Sequence, residues 1–219
     1  MRRRAAAAAC CLAVAALARA APPDAAAWEA AAVAHAAAHE AQLTEEVIAF
    51  TAIPSVSAQP EHAADVRAAS EWVQRKLLAM GAEHVALMET GVAGRDHPVV
   101  YGDWLHAPGA PTVLIYAHFD VQPAAGTEAL WASPPFAPTR FEHATDGPSL
   151  RARGAADDKG PLAAALQGLQ AVAAAGGGFP VNVKWLLEGQ EEIGSPQLGA
   201  FIAKHGMRAR PVFAFGARR

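Results

Sequence analysis

The run Thr112–Ala117, TVLIYA, constrains this chain more than any other segment. It has no charge and no alternation of polar with apolar residues, and it is too short to cross a bilayer. Such a run is expected of a central strand covered on both faces. A strand of that kind needs helices above and below it, which places the chain in the α/β class. The remaining sequence supplies them. Leu43, Val47 and Phe50 recur at helical spacing in a helix that must stop before Pro54, and Val66, Ala69, Val73, Leu77 and Met80 mark the face of a helix over 61–80 that Gly81 ends. Strands are predicted over 84–89, 99–105, 181–187 and 211–215, and helices over 161–175 and 197–204. Strands alternating with helices predict a mostly parallel sheet sandwiched by helices. The segment 121–156 reads as one long Pro-rich loop. Trp131, Phe136 and Phe141 within it argue against disorder and for function.

Three polar clusters interrupt the apolar pattern. His118-Phe119-Asp120 directly follows the buried run. Residues two apart on a strand face the same way, so the Asp120 carboxylate can take the proton of one ring nitrogen and leave the other as a lone pair for a metal. Taken alone, the pair reads more readily as a core histidine satisfied by an aspartate. Asp157-Asp158 precedes a predicted helix, where carboxylates serve as N-caps. Glu188-Gly-Gln-Glu191-Glu192-Ile-Gly194 follows a strand, and alone it reads as a solvated acidic turn. Together the clusters fall at the same edge of the predicted sheet, the C-terminal edge where open α/β sheets form their sites. One imidazole and several carboxylates suit zinc, manganese or cobalt. Two adjacent glutamates permit one to bind metal while the other serves as general base.

The ends of the chain carry different information. Arg2–Arg4, an apolar run to Leu17 and Ala18-Arg19-Ala20 have the pattern of an export signal cleaved after Ala20, and they predict a secreted or periplasmic protein. Residues 21–39 form an Ala-rich leader to which composition assigns no structure, and the domain proper is expected over 40–219. Loss of Arg2, Arg3, Arg4 and Arg19 would reduce 18 basic residues to 14 against 21 acidic ones, a charge of −7. That balance excludes a nucleic-acid surface and leaves room for a divalent cation. Both cysteines, Cys10 and Cys11, lie in the signal-like segment, so the rest offers no thiol for catalysis, ligation or a disulfide.

In order and spacing, PVVYGDWLHAPGAPTVLIYAHFDVQP, LWASPPFAP, RGAADDKGPL and EGQEEIGSP resemble the co-catalytic zinc dipeptidases related to carnosinase, aminoacylase and the glutamate carboxypeptidases. The resemblance runs from about Glu40 to Phe215, and VQP with W-x-SPPF points to the dipeptidase branch. It implies a metallopeptidase catalytic domain, dipeptides or short peptides as substrates, and two divalent ions, zinc with cobalt or manganese as alternatives. It also implies the roles. His118 would bind the first metal, with Asp120 orienting it. Asp157 would bridge the two metals through a restricted backbone with a cis bond to Asp158. Glu192 would bind the second metal, and Glu191 would be the general base.

The chain departs from the family pattern in two places. Arg151-Ala152 stands before Arg153 where the family has an aromatic residue and a glycine. After PVFAF the sequence reads Gly216-Ala217-Arg218-Arg219, without the expected metal-ligand aspartate, and the family's distant last histidine and inserted dimerisation domain are not among the 219 residues. The expectation is therefore a truncated catalytic domain, with little activity by itself and no homodimer of the family type. The competing readings are an N-acyl amino acid deacylase and a vestigial or binding protein.

Overall fold

The computed structural model describes residues 25–91, 97–205 and 211–214. The signal-like segment 1–20 and the end 215–219 lie outside the described residues. Helices α1 (Ala25–Ala38), α2 (Glu40–Thr51) and α3 (Ala63–Ala79) come first, α3 being introduced by a 3-10 turn at Pro60–His62. Strands β1 (Glu83–Met88), β2 (Val99–Trp104) and β3 (Thr112–His118) follow, then a hairpin of β4 (Thr139–His143) and β5 (Gly147–Arg151). The chain continues through α4 (Lys159–Gly176), β6 (Asn182–Glu188), a 3-10 turn at Glu191–Ile193, α5 (Leu198–His205) and β7 (Pro211–Ala214).

The main sheet has the order β1-β2-β6-β3-β7. The α/β class holds, but the sheet is mixed rather than mostly parallel. β6 and β7 pair with β3 in parallel, whereas β1–β2 and β2–β6 are antiparallel. The reason is connection length. The ten residues 89–98 between β1 and β2 are too few for a helical crossover, so β2 turns back. From β3 onward, α4 and α5 provide the crossovers that parallel strands need.

The two faces of the sheet follow the two-residue period of the strands. Val113, Ile115 and Ala117 of β3 and Val183, Trp185 and Leu187 of β6 face the main core with Phe50, Val73, Leu77, Leu162 and Leu166 from α2, α3 and α4. Leu114 and Leu186 face the other way, against Phe201 and Ile202 of α5. TVLIYA is thus covered on both faces, and for that reason it lacks alternation.

Two expectations need correction. The leader is not without structure: over Ala25–Ala38 it is a helix that buries Trp28 and Ala32. Trp28 donates its Nε1–H to the Val172 carbonyl of α4 at 2.8 Å. Gly176 makes the space, since a Cβ there would stand 1.9 Å from the Trp28 ring. One tryptophan and one glycine dock a segment whose alanines bury little. The second correction concerns 121–156, which contains the β4–β5 hairpin. Asp146-Gly147, with Gly147 at φ 73°, is the turn signal for it. Arg151 lies over the Phe141 ring at 4.2 Å.

Candidate metal centre

Parallel pairing of β3 with β6 sets His118 opposite Glu188, so the His118–Asp120 and Glu188–Glu192 segments leave the sheet side by side. Asp120 is wholly buried and collects donors from three segments. Its Oδ1 accepts the Glu191 N–H at 3.2 Å and its Oδ2 accepts the Glu192 N–H at 3.1 Å. Ser57 donates its hydroxyl to Oδ2 at 2.5 Å. The His118 Nδ1 lies 3.2 Å from the Asp120 carbonyl and 3.3 Å from Oδ1. One carboxylate therefore both orients the ring and holds the turn that carries the two glutamates.

The other ring nitrogen points outward. His118 Nε2 is 3.2 Å from Asp157 Oδ1 and 3.8 Å from Glu191 Oε2. Asp157 joins Asp158 through a cis peptide bond. Asp158 does not cap α4 with its side chain. Instead its Oδ2 accepts the His118 backbone N–H at 3.3 Å, while its Oδ1 is buried without a hydrogen-bond partner. Gly160 is required where the 154–160 loop folds back on itself, because a Cβ there would meet the Ala155 carbonyl oxygen at 1.9 Å. Glu192 stands somewhat apart: Gln122 donates to its Oε2 at 2.7 Å and to its carbonyl at 3.0 Å.

Burial and mutual charge set the acidities. Burial alone would lower the His118 pKa, but Asp120, through its hydrogen bond and charge, with the charges of Asp158 and Glu191, outweighs it and pushes the pKa up to about 9. Burial raises Asp158 to about 6, against the opposing pull of His118. Burial also raises Glu192 and Glu188 from the ordinary glutamate value. Glu188 accepts the hydroxyls of Tyr116 and, at 2.8 Å, of Ser195. Lys159, next to Asp158, is wholly buried, and burial brings it down to about 7. Its ammonium donates to the Phe50 and Ile53 carbonyls at the end of α2.

The donor chemistry fits a cation in part. A neutral imidazole has one N–H, yet both nitrogens of His118 face acceptor oxygens. The contact on Nε2 requires either a second proton or a metal ion shared with Asp157. Among the described residues no three His, Cys, Asp or Glu side chains are already gathered at ligand distances around one point. His118 and Asp157 converge, and Glu192 is held away by Gln122.

All five residues singled out from sequence therefore lie at one edge of the sheet and meet around the His118 ring or the Asp120 carboxylate, Glu192 through its main-chain N–H alone. The sequence reading gave no role to Ser57, Gln122, Glu188 or Lys159. Gln122 and Glu188 were visible inside the motifs. Ser57 and its neighbour Ser55 carry no local signal beyond the helix stop at Pro54.

Residues 114–217 match the model of Peptidase family M20/M25/M40. The Cys-Gly metallodipeptidase dug1 of Schizosaccharomyces pombe is 37% identical over 156 residues, which are 68% of this chain and 32% of that protein. Among solved structures, the di-peptidase Dug1p from Saccharomyces cerevisiae superposes with a TM-score of 0.72 at 27% identity, over 81% of this chain and 38% of that one. Human carnosine dipeptidase 1 gives a TM-score of 0.72 at 28% identity, over 84% and 39%. The chain spans about a third of the length of the curated relatives it matches. With the motifs, the sheet-edge geometry and these likenesses in agreement, residues 114–217 carry a part of a peptidase family M20/M25/M40 domain, and the chain is similar to dipeptidases.

Proposed function

We propose that this domain takes part in the metal-dependent hydrolysis of the peptide bond of dipeptides or short peptides. The observation that carries the reading is the His118 ring set between two carboxylates, buried Asp120 on Nδ1 and half-exposed Asp157 on Nε2. His118, Asp157 and Glu192 would hold two divalent ions, zinc with cobalt or manganese as alternatives. Bound there, such ions supply Lewis-acid polarisation of the scissile carbonyl and a more acidic attacking water. Asp120 fixes the ring so that Nε2 keeps its lone pair for the site. Asp157 neutralises charge from the other side. Glu191, partly exposed and 3.8 Å from Nε2, takes a proton from the attacking water and passes it to the leaving amine. Export is part of the proposal, on the strength of Arg2–Arg4, the apolar run and Ala18-Arg19-Ala20.

The test is a pair of substitutions in a version of the enzyme extended to the length of its relatives. Glu191→Gln should keep its metal content and lose about 10²–10⁴-fold in turnover, since the amide cannot accept a proton. Glu192→Gln should lose metal as well. The opposite pattern of phenotypes would reverse the assignment of base and ligand. A panel of dipeptides beside N-acyl amino acids separates peptidase from deacylase.

A further inference from the structure

The segment between α2 and the 3-10 turn at Pro60, Ile53-Pro54-Ser55-Val56-Ser57, runs beneath the exit of β3 and precedes the part of the chain that the family model matches. Both serines are buried. Ser55 donates its hydroxyl to the Phe119 carbonyl at 2.6 Å, and its own carbonyl accepts the Val121 N–H at 3.0 Å. These bonds brace the backbone on either side of Asp120. Ser57 differs, because its hydroxyl reaches the Asp120 carboxylate itself. Its carbonyl lies 3.1 Å from His97 Nε2, which fixes the other end of the residue. Lys159, adjoining the Asp157-Asp158 pair, grips the Ile53 carbonyl at the start of the strap.

From this arrangement we infer that Ser57 is a positioning residue of the metal centre, acting on His118 through Asp120. The inference rests on the proposed metal site. A carboxylate oriented by three fixed donors, two main-chain N–H groups and one hydroxyl, has one direction left in which to hold the histidine. Removing the hydroxyl leaves Oδ2 with the Glu192 N–H as its one remaining donor among these three, and the aim of the ring loosens. Partners one step behind the ligands typically contribute about 10–100-fold to metal affinity.

The experiment is zinc binding to the purified 219-residue chain by isothermal titration. The proteins compared are the native chain, Ser57→Ala, Ser57→Thr, Ser55→Ala, Asp120→Asn and the double variant Ser57→Ala/Asp120→Asn, with His118→Ala as control. Ser57→Ala should bind zinc about 10-fold more weakly, and Ser57→Thr, which restores the hydroxyl, should come close to native. Ser55→Ala should weaken binding less than Ser57→Ala does, because its hydroxyl bonds to the Phe119 carbonyl and not to the Asp120 carboxylate. The double variant should bind no more weakly than Asp120→Asn alone, as expected of residues acting in series. Native-like affinity in Ser57→Ala, or losses that multiply in the double variant, would overturn the inference. If His118→Ala also binds like the native chain, or the native chain binds nothing, the metal reading falls together with it. A second measurement needs no variant. Zinc added to the native chain should shift the Ser57 amide signal in NMR along with those of His118 and Asp120, and an unmoved Ser57 signal would count against the inference.

Discussion

Asp120 and Asp157 both meet the His118 ring, one at each nitrogen, and their surroundings are opposite. The Asp120 side chain has no exposure and answers to donors from three segments; the Asp157 side chain is 51% exposed and answers mainly to the ring. The floor of the site is built like a core, and its rim is left open to solvent. A group with every hydrogen bond spent can only orient its neighbours. A group with bonds to spare can take a ligand. The same division separates Glu188, buried with Tyr116 and Ser195, from Glu191, three residues later and partly exposed.

The sharpest way to break this comparison is to remove each aspartate. Asp120→Ala strands the Ser57 hydroxyl and two main-chain N–H groups and should lower stability by about 3 kcal/mol, as losses of buried charged partners do. Asp157→Ala should change stability by no more than about 0.5 kcal/mol while weakening zinc binding. Urea unfolding beside zinc titration checks both, and equal destabilisation would erase the distinction between floor and rim. Next in size is Lys159→Met, which leaves the Phe50 and Ile53 carbonyls without their donor and should cost about 2 kcal/mol in the same unfolding measurement.

Away from the site, Glu46 pairs with the mostly buried Lys76 at 2.6 Å. Burial would raise the Glu46 pKa, but Lys76, Gln42 and Gln167 together lower it. A depressed glutamate contributes stability above its unfolded pKa and loses it as pH falls through the folded value. Glu46→Gln should thus cost about 1 kcal/mol at pH 7, and the difference from native should vanish in unfolding curves taken below the ordinary glutamate range. Smallest is Arg140→Ala, which breaks an exposed pair with Glu45 that should contribute less than about 0.5 kcal/mol, again by urea unfolding.

What the sequence made legible tracks how local each signal is. TVLIYA announced a doubly covered strand because burial on both faces removes alternation. The His-x-Asp pair after it, Asp157 before α4 and the paired glutamates after β6 were readable because each sits at the end of a periodic element. The direction of β2 was less so, since it depends on a connection of ten residues rather than on any residue type. The docking of α1 turns on Trp28 meeting Gly176, positions 148 apart, and no period links them. Ser57 was out of reach for the same reason. Its role exists only once the chain has brought it to Asp120, 63 positions away.

Those separations bear on the order of folding. Asp120 binds partners 63, 71 and 72 positions away, whereas α3 and α4 are closed by contacts four residues apart. Closing loops of that length costs entropy that is recovered only when β6 has paired with β3. The helices should therefore form ahead of the site, and the Asp120 cluster should be among the last contacts made. In small zinc modules the ion organises an otherwise unfolded chain. Here the ligands are brought within reach by the sheet, so a metal ion would meet a finished scaffold, and chelators should strip it without unfolding the domain.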